Sequence, residues 1–464
     1  MKYNSDGFSY SMSGELRYSE PLGEKWTLST SAELDWQRRD NVRDAFDAFG
    51  KNDYYSSVSN SNSLSQQYGL TAQYKFGERS WLTVGGQLSG ILNETFSKSY
   101  GIGTTSGEDE WNWFVTPTLR FQHGKGNDRF NVSASGNSQR PSISRMLPVL
   151  SIGNLSRLSV GNVYLKPYSQ TWFNASWTRS NREKFSTLMA YVYAQVNSRP
   201  IVSALWYDAD GILYSVPVNS LRPSLISSLH INYTTPIDAG KLWSLTLGGS
   251  AGYSASTSYQ TKLTLPALDK DSFDYSSFMA GFWGDSAGDR FYGGLSGFSE
   301  SHTRLLSPSA EFSVKYNPER WSFIAGARTS GRIARYSLNP KANLSTLDTR
   351  LNASGSYTTR HEFELKTDLA YVFYKGYAEG YGQSEWQWNA DISKSIGAFN
   401  LSLKVHDILN QTRSLTHTVA ASYEEDTYRL IMGRYVLLGV KWNFGKMNAA
   451  HSARAQQAAW NMVF

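Results

Sequence analysis

Residues Ser384–Gln411 read SEWQWNADISKSIGAFNLSLKVHDILNQ. From Trp386 to Ile392 every second residue is bulky or apolar, and the residues between them are polar. After a short turn the alternation resumes, with apolar residues at Leu401, Leu403 and Val405. A period of two places successive side chains on opposite faces of a β-strand. The stretch therefore predicts two antiparallel strands, each with one apolar face and one polar face.

The composition limits the classes of protein that can use this pattern. Apolar residues make up 40 % of the 464 residues, and the mean hydropathy is −0.44. No run approaches the roughly 18 apolar residues that a membrane helix needs, but a membrane-spanning β-strand needs no such run because alternate residues face a polar interior. Cysteine is absent, which excludes disulfide bonds and thiolate metal sites. The net charge of +6 comes from scattered Lys and Arg, which argues against a nucleic-acid partner.

The same alternation recurs along almost the whole chain, and seventeen strands can be counted. Short and long connections alternate between successive strands. The short ones are PLGEK, GERS, HGKGND, SNREK, TTPIDAGK, NPER, TTRH and IGAF, and the long ones cover residues 39–63, 97–110, 138–170, 256–304, 337–346 and 411–421. Outer-membrane barrels show this alternation of connection lengths, with short periplasmic turns and long extracellular loops. Helical periodicity is almost absent, and its best example, Asp40–Gly50, is expected inside a long loop.

Tryptophan and tyrosine cluster at the ends of these strands, as they do in the interfacial girdle of membrane barrels. We therefore predict an all-β fold, an antiparallel transmembrane β-barrel over residues 1–444, whose apolar face meets lipid. Residues 445–464 are expected to form a periplasmic tail. The expected location is the outer membrane of a Gram-negative bacterium. The N-terminal stretch has no apolar centre and is not a signal peptide.

Several motifs resemble those of a known family. Arg140-Pro141-Ser142, followed by the motif at residues 161–167 (GNVYLKP), resembles the R-P-S and G-N-x-x-L-K-P motifs of TonB-dependent outer-membrane receptors. Val405–Ser414 resembles the penultimate strand and loop of that family, and Val436–Phe464 resembles the C-terminus of its SusC-like and outer-membrane β-barrel branches. The resemblance covers the C-terminal barrel portion of such receptors. It implies nutrient uptake energised by a TonB partner.

The sequence departs from the family pattern in its extent. A full receptor carries a signal peptide, a TonB box and a plug domain, and none of them is recognisable in this chain. The family barrel has 22 strands, whereas an odd number is counted, which does not fit a single-chain bacterial barrel. We therefore expect a truncated or split receptor barrel that lies in outer-membrane lipid and works with a separate plug or N-terminal barrel segment and with TonB. The alternative is a structural or adhesive barrel with no transport role.

The sequence indicates no catalytic, metal or cofactor site. None of the seven histidines lies at metal-ligand spacing from another, so the chain is not expected to be an enzyme or to hold a cofactor. An outer-membrane hydrolase remains a third alternative, because catalytic groups can cluster in space without a sequence signature. The segment LDKDSFD offers Asp269, Asp271 and Asp274, but Phe273 occupies a ligand position of a calcium loop. A solvated acidic loop is therefore favoured over a calcium site.

The residues best suited to ligand binding are aromatic. The loop Ser276–Phe298 interleaves aromatic residues with glycines, and Asn52–Asn62 is a weaker candidate of the same kind. Aromatic faces stack on sugars, peptides or flat cofactors. The predicted ligand-binding residues are Tyr54, Tyr55, Phe282, Trp283, Phe291 and Tyr292. The alternative is a loop that folds over its own aromatic cluster. Arg140 is expected mainly to fold an inward loop, with contact to a plug or ligand as a secondary role.

Overall fold

The computed structural model describes residues 2–99, 102–106, 110–148, 150–154, 157–261, 268, 273–283, 297–377, 384–412, 415–419, 424–428 and 432–442. Its strands are β1 (Lys2–Leu22), β2 (Trp26–Asp47), β3 (Gly50–Gly77), β4 (Ser80–Ser99), β5 (Ile102–Ser106), β6 (Asn112–Lys125), β7 (Asp128–Gln139), β8 (Leu150–Asn154), β9 (Arg157–Val160), β10 (Tyr168–Asn181), β11 (Ser186–Ser198), β12 (Ile201–Tyr207), β13 (Leu213–Asn219), β14 (Ser224–Pro236), β15 (Trp243–Gln260), β16 (Ser299–Tyr316), β17 (Trp321–Tyr336), β18 (Leu344–Thr358), β19 (Phe363–Lys375), β20 (Glu385–Ile396), β21 (Phe399–His406), β22 (Leu415–Val419), β23 (Glu424–Tyr428) and β24 (Tyr435–Trp442). Two helices, α1 (Ile143–Met146) and α2 (Tyr275–Trp283), and a 3-10 turn (Pro340–Ala342) lie between strands. None of the described helices is long and apolar enough to cross a membrane.

Seventeen strands pair side by side, and we call them the wall sheet. In order they are β1, β2, β3, β4, β6, β7, β10, β11, β14, β15, β16, β17, β18, β19, β20, β21 and β24. Every pairing along this wall is antiparallel, which confirms the predicted all-β antiparallel fold. The wall has the predicted seventeen strands, and five further described strands, β5, β8, β9, β12 and β13, belong to the same hydrogen-bonded sheet. Within the described ranges no pairing joins β1 to β24, so the sheet is not closed and has two edges.

The outer face of the wall sheet is apolar. In the isolated chain Met12 is 74 % exposed, Val115 is 80 % exposed and Leu438 is 79 % exposed. Met12 lies opposite Trp36 in the register, so apolar side chains of neighbouring strands share this face. Leaving a large apolar side chain in water forgoes about 1.5–3 kcal/mol of burial free energy. Lipid is the solvent that matches this face, whereas serine, threonine, amide and charged side chains cover the inner face.

The first four strands are too long to lie wholly within a membrane. They contain 21, 22, 28 and 20 residues, about twice the 9–11 residues of a membrane-spanning strand. Residues 39–63, predicted as a loop, instead form the far half of the β2–β3 hairpin, which turns between Asp47 and Gly50. The predicted helical character of Asp40–Gly50 is also wrong. Pairing of β2 with both β1 and β3 satisfies backbone groups that a helix would have to satisfy internally.

The main apolar core lies at the long-loop end of the wall sheet. There β8 pairs with β9, β9 runs parallel to β13, β13 pairs with β12, and β12 runs parallel to the end of β15. We call this arrangement the cap sheet. It joins the chain segments that follow β7, β11 and β15 into one packed unit. The predicted tail, residues 445–464, lies outside the described residues.

Candidate functional site

Arg140 fastens the segment after β7 to the inner face of the wall sheet. We call residues 140–167 the inward segment. Arg140 Nη2 donates to Asp35 Oδ1 at 3.0 Å and to Ser65 Oγ at 3.1 Å, and Nη1 donates to Ser63 Oγ. The side chains of Arg140 and Asp35 are 23 % and 31 % exposed, so the ion pair is largely sheltered from water. These charge-assisted hydrogen bonds confirm that Arg140 folds a loop inward.

Backbone contacts hold the two halves of the inward segment together. The Asn162 N–H donates to the carbonyl oxygen of Arg145 at 2.8 Å, and Met146 beside it is 1 % exposed. A Cβ at Gly161 would lie 1.9 Å from the carbonyl oxygen of Leu147. Only glycine allows two backbones to approach this closely. The glycine of the GNVYLKP motif is therefore required by packing within the segment.

Two buried asparagines tie the same motif to β13. Asn162 Nδ2 donates to the carbonyl oxygen of Pro217 at 2.9 Å, and its Oδ1 accepts the Tyr164 N–H at 2.9 Å. Asn219 Oδ1 accepts the Lys166 N–H at 2.8 Å, and its Nδ2 donates to the Lys166 carbonyl oxygen at 3.0 Å. An asparagine amide satisfies backbone donors and acceptors that have no strand partner. The inward segment is thereby attached to the cap sheet at one end and to the wall sheet at the other.

Trp206 on β12 lies at the centre of the cap. It is 2 % exposed, and its ring stacks on Tyr214 of β13 at a centroid distance of 5.3 Å. The rings of Phe278 and Phe282 lie 6.1 Å and 5.9 Å away, and Phe298 meets it edge-on at 6.4 Å. Aromatic pairs at these separations add to the free energy of simple burial. This cluster makes the loops at this end one structural unit.

Helix α2 brings the aromatic loop onto this cluster. Asp274 Oδ2 accepts the Ser277 N–H at 2.7 Å and so caps the helix N-terminus. Apolar residues recur at helical spacing, at Tyr275, Phe278, Met279 and Phe282. This helix was not predicted from the sequence, although the capping aspartate and the spacing are its signal. Asp274 thus acts as a helix cap, and Asp269 and Asp271 lie outside the described residues.

The structure places the predicted ligand-binding residues unevenly. Phe282 is partly buried in the aromatic cluster around Trp206, where the described part of the loop folds over its own aromatic residues. Trp283 ends α2, and Tyr54 and Tyr55 lie in the projecting half of β3, but their side chains are outside the described part of the structure. Phe291 and Tyr292 lie wholly outside it. Ligand contact by these six residues stays a prediction.

Two tyrosines connect the aromatic loop to the cap sheet. Tyr275 Oη accepts the Val163 N–H at 3.1 Å, and Tyr214 Oη accepts the Leu268 N–H at 3.2 Å. Burial raises the pKa of both phenols, because it disfavours the charged phenolate. Both side chains are therefore neutral over the ordinary pH range.

The inner face of β18 to β21 carries charges of both signs. Arg350 Nη1 donates to Gln387 Oε1 at 2.8 Å, and Gln387 Nε2 donates to Glu385 Oε1 at 2.7 Å. Lys404 Nζ lies 3.6 Å from Asp391 Oδ2 on the neighbouring strand. A wall of this kind can line a path for a hydrophilic solute. No group of three metal-ligating side chains was found in the part of the chain that the structure describes.

The residues that hold this site together were mostly not predictable from the sequence. Trp206 and Tyr214 appear in the sequence as part of an ordinary hairpin. Asp35 appears as one polar position in an alternating strand, and it is 105 positions from Arg140. No periodic pattern relates residues at such separations. Only the motif residues Arg140 and Gly161 gave a local signal.

Comparison with known proteins gives one family match and distant structural matches. The model of the outer membrane protein beta-barrel family matches residues 2–283 and 306–442. No curated protein sequence matches the chain. The copper transporter OprC aligns with 95 % of this chain and 67 % of its own, at 11 % identity and a TM-score of 0.43. In-vitro folded OmpT, an outer membrane protein of Vibrio cholerae in trimer form, aligns with 95 % of this chain and 99 % of its own, at 10 % identity and a TM-score of 0.28.

Proposed function

The chain belongs to the outer membrane protein beta-barrel family, and from this premise we propose that it forms the barrel of a nutrient transporter. The family places the protein in the outer membrane. The proposed type is the SusC-like, TonB-dependent receptor. Its short turns would face the periplasm and its long loops the cell exterior.

The attached inward segment is the observation that carries this proposal. Arg140 binds the inner face of β2 and β3, while Asn162 joins the same segment to the cap sheet. The segment therefore runs from the barrel wall to the packed unit at the mouth. A transporter needs a barrel mouth that is obstructed until a ligand arrives, and we infer that this segment contributes to the obstruction. The contacts of the segment offset the entropic cost of ordering it, and a transporter has a use for an ordered inward segment that a purely structural barrel lacks.

The proposed path begins at the cap and continues along the charged inner face. The ligand would be captured by the loops at the long-loop end and would pass polar groups such as Arg350 and Glu385. The path needs no chemical step, and we propose that the chain has no enzymatic activity. Purified protein should leave lipid, ester and peptide probes unchanged. Turnover of any of these probes would contradict this proposal and favour the outer-membrane hydrolase instead.

The two sheet edges support a proposal about partners. β1 and β24 are the first and last strands of an antiparallel wall with seventeen members, so they point in the same direction. An antiparallel closure then requires an odd number of further strands, and five would give a barrel of 22. Each unpaired backbone group in lipid costs several kcal/mol. We propose that such strands, a plug and TonB complete the working transporter.

The mass of the species purified from native outer membranes tests this completion. The chain of 464 residues has a mass of 52.0 kDa. We expect a larger polypeptide, or a co-purifying barrel segment that crosslinks to β1 and β24. A native species of 52.0 kDa, with β1 crosslinked directly to β24, would contradict it.

Uptake by cells tests the transport role. A deletion strain is grown on defined media that each supply one nutrient class (glycans, peptides, haem, iron chelates or cobalamin). The compound that the intact gene restores is then radiolabelled, and its uptake is measured with and without a protonophore. We expect uptake that the protonophore abolishes and that Trp206→Ala reduces strongly. The matched control is Phe49→Ala, an aromatic residue outside the cap that is 99 % exposed.

A structural or adhesive barrel is the second candidate function. The projecting β2–β3 hairpin favours it, because its exposed tip residue Phe49 is the kind of group that contacts a partner surface. This candidate predicts that deletion reduces cell adhesion or envelope integrity and changes the uptake of no nutrient class. The same deletion strain therefore separates the two functions.

A further inference from the structure

A cavity at the short-turn end of the inner face has no role in the transporter described above. Its volume is about 300 Å³, and its lining comes from the β3–β4, β6–β7 and β10–β11 turns and the strand ends beside them. Each of the three turn regions contributes one arginine, at Arg79, Arg129 and Arg182. Three arginines from separate turns therefore line one cavity.

The local backbone makes room for this arrangement. Gly124 lies on the inner face beside Arg79, and a Cβ there would come within 3.3 Å of the Arg79 Cβ. Gly126 has a φ of 57°, which allows the chain to turn within two residues between β6 and β7. Arg129 then follows at the start of β7. These two glycines thus permit the close approach of the first two turns.

The carboxylate among the lining residues is already engaged elsewhere. Asp128 Oδ1 accepts the indole N–H of Trp177 at 3.1 Å, and Arg179 Nε lies 4.0 Å from it. Glu78 and Glu183 are sequence neighbours of two of the arginines, but they do not line the cavity. Among the described residues, none of the three lining arginines forms an ion pair with a carboxylate. The cavity therefore has an excess of positive charge.

We propose that this cavity binds a phosphate group, as inorganic phosphate or as the phosphoryl group of a small phosphorylated solute. The planar fork of a guanidinium matches two phosphate oxygens, and three such groups can surround one tetrahedral anion. Gln122, Thr178 and Ser180 supply neutral hydrogen-bonding groups to the same lining. The site faces the interior of the sheet, so its ligand arrives from water. The proposal is independent of the proposed transport function.

Calorimetric titration of the intact protein in detergent, at constant ionic strength, tests the site. The probes are inorganic phosphate, glucose 6-phosphate, acetate and an acidic peptide. We expect saturable binding of phosphate, at least tenfold weaker binding of acetate, and a loss of at least tenfold in phosphate affinity for the triple variant Arg79→Gln/Arg129→Gln/Arg182→Gln. Tighter binding of glucose 6-phosphate than of phosphate would identify the phosphorylated solute as the source.

A second triple variant controls for charge. Lys25→Gln/Arg320→Gln/Arg360→Gln removes the same charge from other short turns, outside the cavity, and should bind phosphate within twofold of the wild type. Both variants should keep the wild-type shift between folded and heat-denatured bands on a gel. Equal losses in the two triple variants, no saturable phosphate binding, equal binding of acetate, or binding of the acidic peptide alone would each overturn the proposal.

Discussion

Removal of the Arg140 guanidinium is expected to release the inward segment from the wall sheet. In the Arg140→Ala variant, Asp35 and Ser65 lose donors at 3.0 Å and 3.1 Å. Breaking a fully buried ion pair costs about 3–5 kcal/mol, and an exposed pair contributes about 0–1 kcal/mol. Because these side chains are 23 % and 31 % exposed, we expect a cost of about 1–2 kcal/mol. That free energy raises the open population of the segment about 5- to 30-fold.

A single engineered thiol can report this opening. These 464 residues contain no cysteine, so Met146→Cys provides a single thiol within them, at a position that is 1 % exposed. In this background, the rate of labelling by a water-soluble maleimide follows the fraction of molecules in which the segment has opened. Arg140→Ala should raise that rate about 5- to 30-fold. The double variant Arg140→Ala/Asp35→Asn should lose less free energy of segment closure than the sum of the losses in the two single variants, because the two groups form one interaction.

Arg145→Ala is the matched control for this experiment. Arg145 lies in the same segment and is exposed, and its substitution removes the same charge. We expect its labelling rate to stay within about twofold of the parent, as for a surface substitution. Equal rates for Arg140→Ala and Arg145→Ala would refute the conclusion that Arg140 holds the segment inward.

The core, the cap tyrosine and the two faces of the wall each support a further prediction. Trp206→Ala should destabilise the cap by about 3–5 kcal/mol, so that limited proteolysis cuts the cap loops while the wall strands stay intact. Burial raises the pKa of Tyr275 above its ordinary value of about 10; its stabilising contribution is therefore full below pH 10 and is lost as the pH rises above it. Amide hydrogen exchange in the cap, corrected for its intrinsic dependence on pH, should accelerate above pH 10, and Tyr275→Phe should reduce this excess, with the remainder due to Tyr214, whose pKa is raised by burial in the same cap. Leu229→Arg on the outer face should cost about 2–4 kcal/mol in a lipid bilayer, measured by urea titration of refolding into vesicles, whereas Ser228→Arg on the inner face should cost less than about 1 kcal/mol.

The alternation along the chain was sufficient to predict the sheet. Trp386 and Trp388 face outward because each strand meets two different solvents, and a strand between lipid and water must alternate. Where both faces meet water, this signal disappears. Residues 39–63 therefore looked like a loop, although they continue β2 and β3 beyond the membrane. The polar composition of that stretch reflects its surroundings rather than a lack of secondary structure.

The candidate site was only partly predictable. The R-P-S and GNVYLKP motifs identified Arg140 and Gly161, whose roles are local and need a particular residue type. The partners of these residues could not be identified, because a hydrogen bond such as that of Val163 with Tyr275 joins positions 112 apart. Loop packing leaves no periodic pattern in the sequence. The aromatic loop was recognised by its composition, but its helix and its place against Trp206 were not.

The sequence by itself therefore determined the sheet, its two faces and its place in the outer membrane, because these depend on which solvent each successive side chain meets. The tertiary structure determined how the cap closes over its own aromatic residues and how Arg140 reaches Asp35. It also brought three arginines from separate turns to one cavity. These features depend on contacts between strands far apart in the chain, and such contacts exist only once the register of the whole sheet is set.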